Sequence, residues 1–151
     1  MRLTLLFSTV GLFLGGNIAA DEVRLAPDWT LHSQGGETVT LSEAVAEQPV
    51  IVLFWATWCP YCKALMPHIQ SIRLEYGDEI RVLAIHFRDD QGDPVAYIEK
   101  AGYDFTLLPG GDEVAKLNGA WGTPGLMIID RERIIRYDLY TLPQLDLSAA
   151  G

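Results

Sequence analysis

Apolar positions along this chain fall into blocks whose spacing alternates between that of strands and that of helices. Val50 to Ala56 is a continuous apolar run, as expected of a strand buried on both faces in a central sheet. Ile80 to Phe87 is a second strongly apolar strand. Between them, Tyr61 to Tyr76 carries helical spacing, with Leu65, Ile69, Ile72 and Tyr76 on one stripe. Pro67 lies inside that helix and predicts a kink, because it removes a backbone hydrogen bond. Further on, Pro94 opens a helix to about Ala101 and Gly102 closes it. Phe105 to Leu108 reads as a short strand and Asp112 to Asn118 as a short helix. Leu126 to Ile129 and Ile134 to Tyr140 read as a hairpin across Asp130-Arg131-Glu132-Arg133.

Upstream of Val50 the pattern is weaker. From Asp21 to Gln34 the chain is polar with isolated apolars, an extended segment expected to cover the core edge through Leu25, Trp29 and Leu31. Gly35-Gly36 reads as a turn and Thr38 to Leu41 as a short strand. Ser42 is the expected N-cap of a brief helix to Gln48, which Pro49 ends. The tail, residues 143–151, is weakly patterned and expected to be loose. No repeat, low-complexity stretch or linker interrupts the chain. Strands alternating with helices, then a closing hairpin, predict an α/β fold with a central mixed sheet flanked by helices.

Residues 1–20 read as an export signal rather than part of that fold. Met1-Arg2 gives a short positive start, Leu3 to Leu14 is almost wholly apolar, and small residues lead to Ala19-Ala20 before the acidic Asp21-Glu22. Cleavage is expected after Ala20. The apolar run falls well short of the roughly 20 residues that span a bilayer, so no stable membrane insertion is expected once the signal is gone. Residues 21–151 then form a single domain, its core about 36–140. An exported chain meets an oxidising compartment, where a lone cysteine pair rests as a disulfide.

Net charge is −9, and loss of Arg2 makes the processed chain one unit more acidic. That balance disfavours nucleic acid and anionic membrane surfaces as partners. Acidic residues are spread along the chain, so charge alone implies solubility and no particular substrate.

The chemistry concentrates in Trp58-Cys59-Pro60-Tyr61-Cys62, which holds the only two cysteines. The first apolar strand delivers Cys59 to the point where Pro60 starts a helix. A thiol there meets the positive end of the helix dipole and unpaired N–H groups, so its thiolate is favoured. Cys62, one turn on, lies on the same side and can close a disulfide. A structural zinc site needs two further ligands at matching spacing, and His32, His68 and His86 are scattered. A static disulfide closing so short a loop constrains the unfolded chain very little. Redox exchange is the favoured reading, and no metal is expected. Soft-metal binding, such as Cu(I) held by the same pair, is the alternative from another class, although Met66 is the only methionine nearby. A thiol peroxidase would need a separate peroxidatic cysteine with supporting Thr and Arg.

Trp55-Ala56-Thr57-Trp58-Cys59-Pro60-Tyr61-Cys62-Lys63 resembles the active-site motif of the thioredoxin superfamily. Pro67, five residues past the second cysteine, and Gly122-Thr123-Pro124, similar to the cis-proline loop, strengthen the likeness. The helix and strand at about 94–108 look like the insertion of the exported TlpA/ResA/CcmG-like branch, as does Gly125-Leu126-Met127-Ile128-Ile129-Asp130-Arg131. The resemblance implies a thioredoxin-like fold and a thiol–disulfide oxidoreductase with Cys59 as nucleophile and Cys62 as resolving thiol. It places Trp58, Pro60, Tyr61, Thr123 and Pro124 as residues shaping the site. Thr123 backbone groups would meet an extended substrate by strand addition. Trp55 reads as core, and Trp121 as core or rim.

Departures from the family pattern matter as much. Many thioredoxins carry a buried carboxylate six residues before the first cysteine, where this chain has Leu53. Its usual lysine partner falls on Ala84, and the glutamate of ResA-like proteins falls on Leu65. His86, on the same strand face as Ala84, is a candidate substitute proton carrier. His68 is a weaker one.

The expected protein is a periplasmic oxidoreductase that needs no cofactor beyond the redox-active Cys59–Cys62 pair. Its expected partners are exported proteins with cysteine pairs, as in cytochrome c or copper-protein maturation, and a membrane-embedded thiol electron donor. It is expected to be a monomer and to act as a reductant, with oxidant or isomerase as the alternative direction.

Overall fold

A computed structural model of the protein describes residues 23–141, so the expectations for the export signal and the loose tail lie outside the described residues. Among those described, no helix is long and apolar enough to cross a membrane.

The sheet is organised by β3 (Val50–Trp55), every residue of which is buried. It pairs in parallel with β4 (Arg81–His86), and β4 in parallel with β5 (Thr106–Leu108). On its other side it pairs antiparallel with β6 (Gly125–Ile129), which pairs antiparallel with β7 (Ile135–Asp138). The order is therefore β5-β4-β3-β6-β7, the mixed sheet that the patterning predicts. A continuous apolar run is what a strand with neighbours on both edges and cover on both faces requires.

Alternation along β3 divides the core. Ile51, Leu53 and Trp55 face α2 (Pro60–Tyr76) and α3 (Pro94–Ala101), packing with Cys62, Met66, Ile69 and Ile98. Val50, Val52 and Phe54 face the other layer. There they meet Leu41, Ala44 and Val45 of α1 (Leu41–Glu47) and Val114 and Ala115 of α4 (Asp112–Leu117). Gly102 ends α3 in the left-handed conformation, φ 69°, and its N–H returns to Ile98 and Glu99 carbonyls, the predicted stop. α2 runs unbroken through Pro67.

Three differences lie in the leading segment. Residues 30–32 form a strand, β1 (Thr30–His32), paired antiparallel with β2 (Thr38–Thr40) across the Gly35-Gly36 turn. Its pattern of threonine and histidine around one leucine gave little apolar signal. Leu25 is 58% exposed and does not cover the core edge, whereas Trp29 is buried there as expected, with Ala26 beside it and Leu31 packed against the same cluster. Finally, α1 starts two residues early. Thr40, not Ser42, occupies the N-cap and makes no side-chain cap bond. Asp28 supplies the missing acceptor from a distance: its Oδ1 takes the Ser42 N–H at 2.9 Å and the Trp29 N–H at 3.1 Å. Burial would raise the Asp28 carboxyl, but hydrogen bonds from Ser42 and Trp29 and the Arg133 charge hold it below its ordinary value.

Asp28→Ala should therefore cost about 1 kcal/mol, as loss of a helix cap does, measured by urea unfolding at neutral pH. Because the folded carboxyl ionises more readily than the unfolded one, that deficit should be full above the usual carboxylate range. It should shrink as pH falls through the lowered folded value.

Candidate functional site

The parallel and antiparallel pairings bring several chain segments to one end of the sheet. Residues 56–59 leave β3 there, residues 87–92 leave β4, and residues 121–124 lead into β6, since Phe54 pairs with Gly125 and Trp55 with His86. The residues singled out from the sequence meet at this end because β3, β4 and β6 are neighbours.

Cys59 is the N-cap of α2, with extended backbone, and Pro60 is at the first helical position. The Cys62 N–H donates to Cys59 Sγ at 3.1 Å, so the sulfur occupies the acceptor position of a capping side chain. A thiolate there would gain from the same N–H and from the helix dipole. The two cysteines form a disulfide, Cα–Cα 5.3 Å apart. Exposure does not distinguish them: Cys59 is 1% and Cys62 0% exposed. Their difference lies in placement, with Cys59 at the cap and Cys62 one turn into the core.

The rim is aromatic and open. Trp58, Tyr61 and Trp121 are 58%, 76% and 68% exposed, so Trp121 belongs to the rim; Trp55 is fully buried, as expected. Trp58 Nε1–H donates to the Arg88 carbonyl at 2.9 Å, and the Arg88 guanidinium donates to the Trp121 carbonyl at 2.8 Å. Arg88 itself sits at φ 53°, a conformation unusual for a non-glycine residue. Its N–H donates to Asp112 Oδ1 at 3.2 Å.

The Thr123–Pro124 peptide is cis, as the motif implied. Tyr140 holds this loop from the far side, its hydroxyl against the Gly122 carbonyl and 3.1 Å from that of Pro124. Burial is the main influence raising the Tyr140 phenol above its ordinary value, so it stays a donor. The Thr123 Oγ1 is buried without a partner.

Behind the cysteine turn lies a cluster that the sequence disclosed only in part. His86, nearly buried on the α2 side of the sheet, packs edge-on against Trp55 with centroids 5.3 Å apart. Its Nε2 is 3.1 Å from Asp89 Oδ2. The same oxygen accepts the Thr57 N–H at 2.7 Å and the Thr57 hydroxyl, and Oδ1 accepts the Gly92 N–H at 2.8 Å. Burial alone would push the Asp89 carboxyl up. Bonds from the Thr57 hydroxyl, His86, and the Thr57 and Gly92 N–H groups outweigh it and hold the carboxyl well below the usual range. Asp89 read as loop because Thr57, which takes two of its bonds, is 32 residues away; the local signal was the Asp–Gly spacing of a turn closed by its own side chain. Leu53 and Ala84, where the family's charged pair would lie, are fully buried. His68 is exposed on α2. Among the described residues, no group of three or more His, Cys, Asp or Glu is placed to hold a metal ion.

The model of the AhpC/TSA family matches residues 24–138. The chain belongs to the AhpC/TSA family. It is 30% identical over 115 residues to the thiol:disulfide interchange protein DsbE of Yersinia pestis, covering 74% of this chain and 60% of that one. DsbE of Escherichia coli K12 is 33% identical over 92 residues, or 60% of this chain and 48% of the relative. The chain thus spans about half the length of the curated relatives it matches. Among solved structures, a putative DsbE from Chlorobium tepidum superposes with a TM-score of 0.69 at 26% identity, covering 78% of this chain and 84% of that one. The fold of this AhpC/TSA family member is thioredoxin-like, as the resemblance implied, and the Chlorobium tepidum neighbour carries a thiol-interchange name.

Gly92 makes the Asp89 cluster sensitive to a single methyl, because a Cβ there would run into Thr57 Oγ1 and Asp89 Oδ2. Gly92→Ala should destabilise the protein by about 1–3 kcal/mol in urea unfolding, the usual cost of forcing a close contact apart. The loss should exceed that of Gly35→Ala, where the nearest atom, Ser33 Oγ, is 3.8 Å away.

Proposed function

We propose that this protein is an exported thiol–disulfide oxidoreductase that exchanges its Cys59–Cys62 pair with cysteines of other exported proteins. The single observation that carries the reading is a cysteine pair at the start of α2, with the Cys62 N–H on Cys59 Sγ. Relatives named thiol:disulfide interchange proteins support it. So does the pattern of residues 1–20, which we take as a cleaved signal directing the chain to the periplasm.

Cys59 is the nucleophile of this reading. As thiolate it attacks one sulfur of a target disulfide; the target S–S bond breaks, and the leaving sulfur takes up a proton. The mixed disulfide is then attacked by the Cys62 thiolate, which releases the second target sulfur and closes the Cys59–Cys62 bond. Two electrons pass from the protein to the target, and a membrane-embedded thiol donor restores the dithiol. Trp58, Pro60 and Tyr61 border the approach to Cys59. On the opposite side, Thr123 has no backbone partner within the described residues while the Trp121, Gly122 and Pro124 carbonyls are engaged, which leaves it open to an extended substrate strand. His86, paired with Asp89, is the candidate proton carrier. The working direction is reduction of cysteines in exported proteins, with apocytochromes and copper proteins as target classes, and the working unit is the monomer.

Reduced wild type should accelerate insulin reduction, and Cys59→Ser should abolish that acceleration; equal rates would refute the enzyme reading. Cys62→Ala should accumulate mixed disulfides with target proteins, identified by mass spectrometry after acid quenching. Equilibration in glutathione buffers fixes the direction: a potential near about −270 mV marks a reductant and one near about −120 mV an oxidant.

A further inference from the structure

The Asp89 carboxylate is the one strongly held charge beside the redox pair, and the exchange chemistry above leaves it unused. It is buried, side chain 3% exposed, and ionised. Being an acceptor only, it takes its proton-sharing contacts as donors: the Thr57 N–H and hydroxyl, the Gly92 N–H and the His86 Nε2–H. Two of these four bonds fasten Thr57, two residues before Cys59. The Cys59 N–H in turn closes the turn onto the Ala56 carbonyl at 3.2 Å. Gly92 lacks a side chain at the one point where a Cβ would collide with both Thr57 and Asp89, so the cradle is shaped around this carboxylate.

Position then decides what the charge does. Two residues of chain span at most about 7 Å, so a carboxylate 2.7 Å from Thr57 N is held close to the Cys59 turn. Screening is weak there because the carboxylate is out of water. Other charged or titratable groups around it are already committed or turned elsewhere. His86 of β4 bonds the carboxylate itself, and the Arg88 guanidinium is bound to the Trp121 carbonyl. Asp93 caps α3, and Lys63 of α2 lies over the Tyr97 ring, 5.4 Å from its centroid. Asp90, next in the chain, is exposed.

We propose that Asp89 is a positioning residue for the redox pair: it anchors the turn that presents Cys59, and its negative charge disfavours the Cys59 thiolate, making the pair more reducing. This rests on the thiol–disulfide reading above. It assigns to a loop acid beyond β4 an electrostatic influence on the thiols, at a site where β3 carries only Leu53. The helix N-terminus stabilises the reduced form, whereas Asp89 opposes it.

Asp89→Asn tests this, since it removes the charge with little change in shape. In glutathione equilibration the variant should hold the reduced form three- to tenfold more strongly than wild type, the range expected for one charge roughly 10 Å away at intermediate dielectric. That is a potential less negative by about 15–30 mV. Cys59 thiolate absorbance should titrate at lower pH than in wild type. Thr57→Val separates charge from structure, because it deletes the hydroxyl bond but keeps the carboxylate. It should lower the unfolding midpoint without moving the potential in the oxidising direction. Should Asp89→Asn not fold, Asp89→Ser is equally neutral and reads the same shift. Asp89→Asn with the wild-type potential, or Thr57→Val shifting equally in the same direction, would overturn the proposal. Absence of any exchange by wild type would instead remove the oxidoreductase reading on which it rests.

Discussion

A backbone N–H donated to a sulfur is the contact around which this structure is arranged. Cys62 N–H reaches Cys59 Sγ only because Cys59 is the last residue before α2, and that placement follows from β3. β3 has a neighbour on each edge and a layer on each face, so it is the most constrained segment of the sheet. Six buried residues, each contributing roughly 1 kcal/mol or more by leaving water, fix where it ends. A cysteine attached to the end of such a strand has little freedom to move. Placement of the sulfur is thus a consequence of packing, and its chemistry follows from placement.

The same constraint sets the surroundings. Parallel pairing with β4 brings His86 level with Trp55, and antiparallel pairing with β6 brings Gly125 level with Phe54. The loops beyond those partners then converge on the cysteine turn from two sides. Arg88 joins them: its carbonyl receives Trp58 and its guanidinium binds the Trp121 carbonyl, so one residue connects the Cys59 turn with the cis-proline loop. A backbone in the left-handed region directs the two groups in the required directions, a case of an unusual conformation found where function concentrates. Tyr140, from beyond β7, fixes the other side of that loop.

What was legible in the sequence was whatever a local pattern encodes. β3 and β4 declared themselves by apolar runs, α2 and α3 by spacing and by proline and glycine at their ends, and the site by two cysteines and a Thr-Pro. The thioredoxin-like resemblance added the cis bond. Illegible were the features whose partners are far along the chain. β1 is three residues of mixed polarity and is a strand only because β2 pairs with it. α1 borrows its cap from Asp28, and no pattern within 41–47 discloses that. Asp89 looks like one more acid in a polar loop, yet it is nearly buried because Thr57 and His86 lie within reach on neighbouring segments. His86 was placed on the strand face of Val82 and Ala84, which packs on α2, but its acidic partner was not foreseen.

Moving an acid from the middle of a strand to a loop changes more than its address. Leu53 lies deep in the sheet, fully buried, and a carboxylate there would have exchanged protons only through neighbouring side chains. Asp89 instead lies at the sheet's end, beside a recess of about 380 Å³ lined by Thr57, Trp58 and Arg88 through Gly92 and open to solvent. A charge held at that boundary acts on the sulfur through space while its hydrogen bonds stay out of water. The apolar packing around Cys62, with Met66 and Ile69, is left without a buried charge to satisfy.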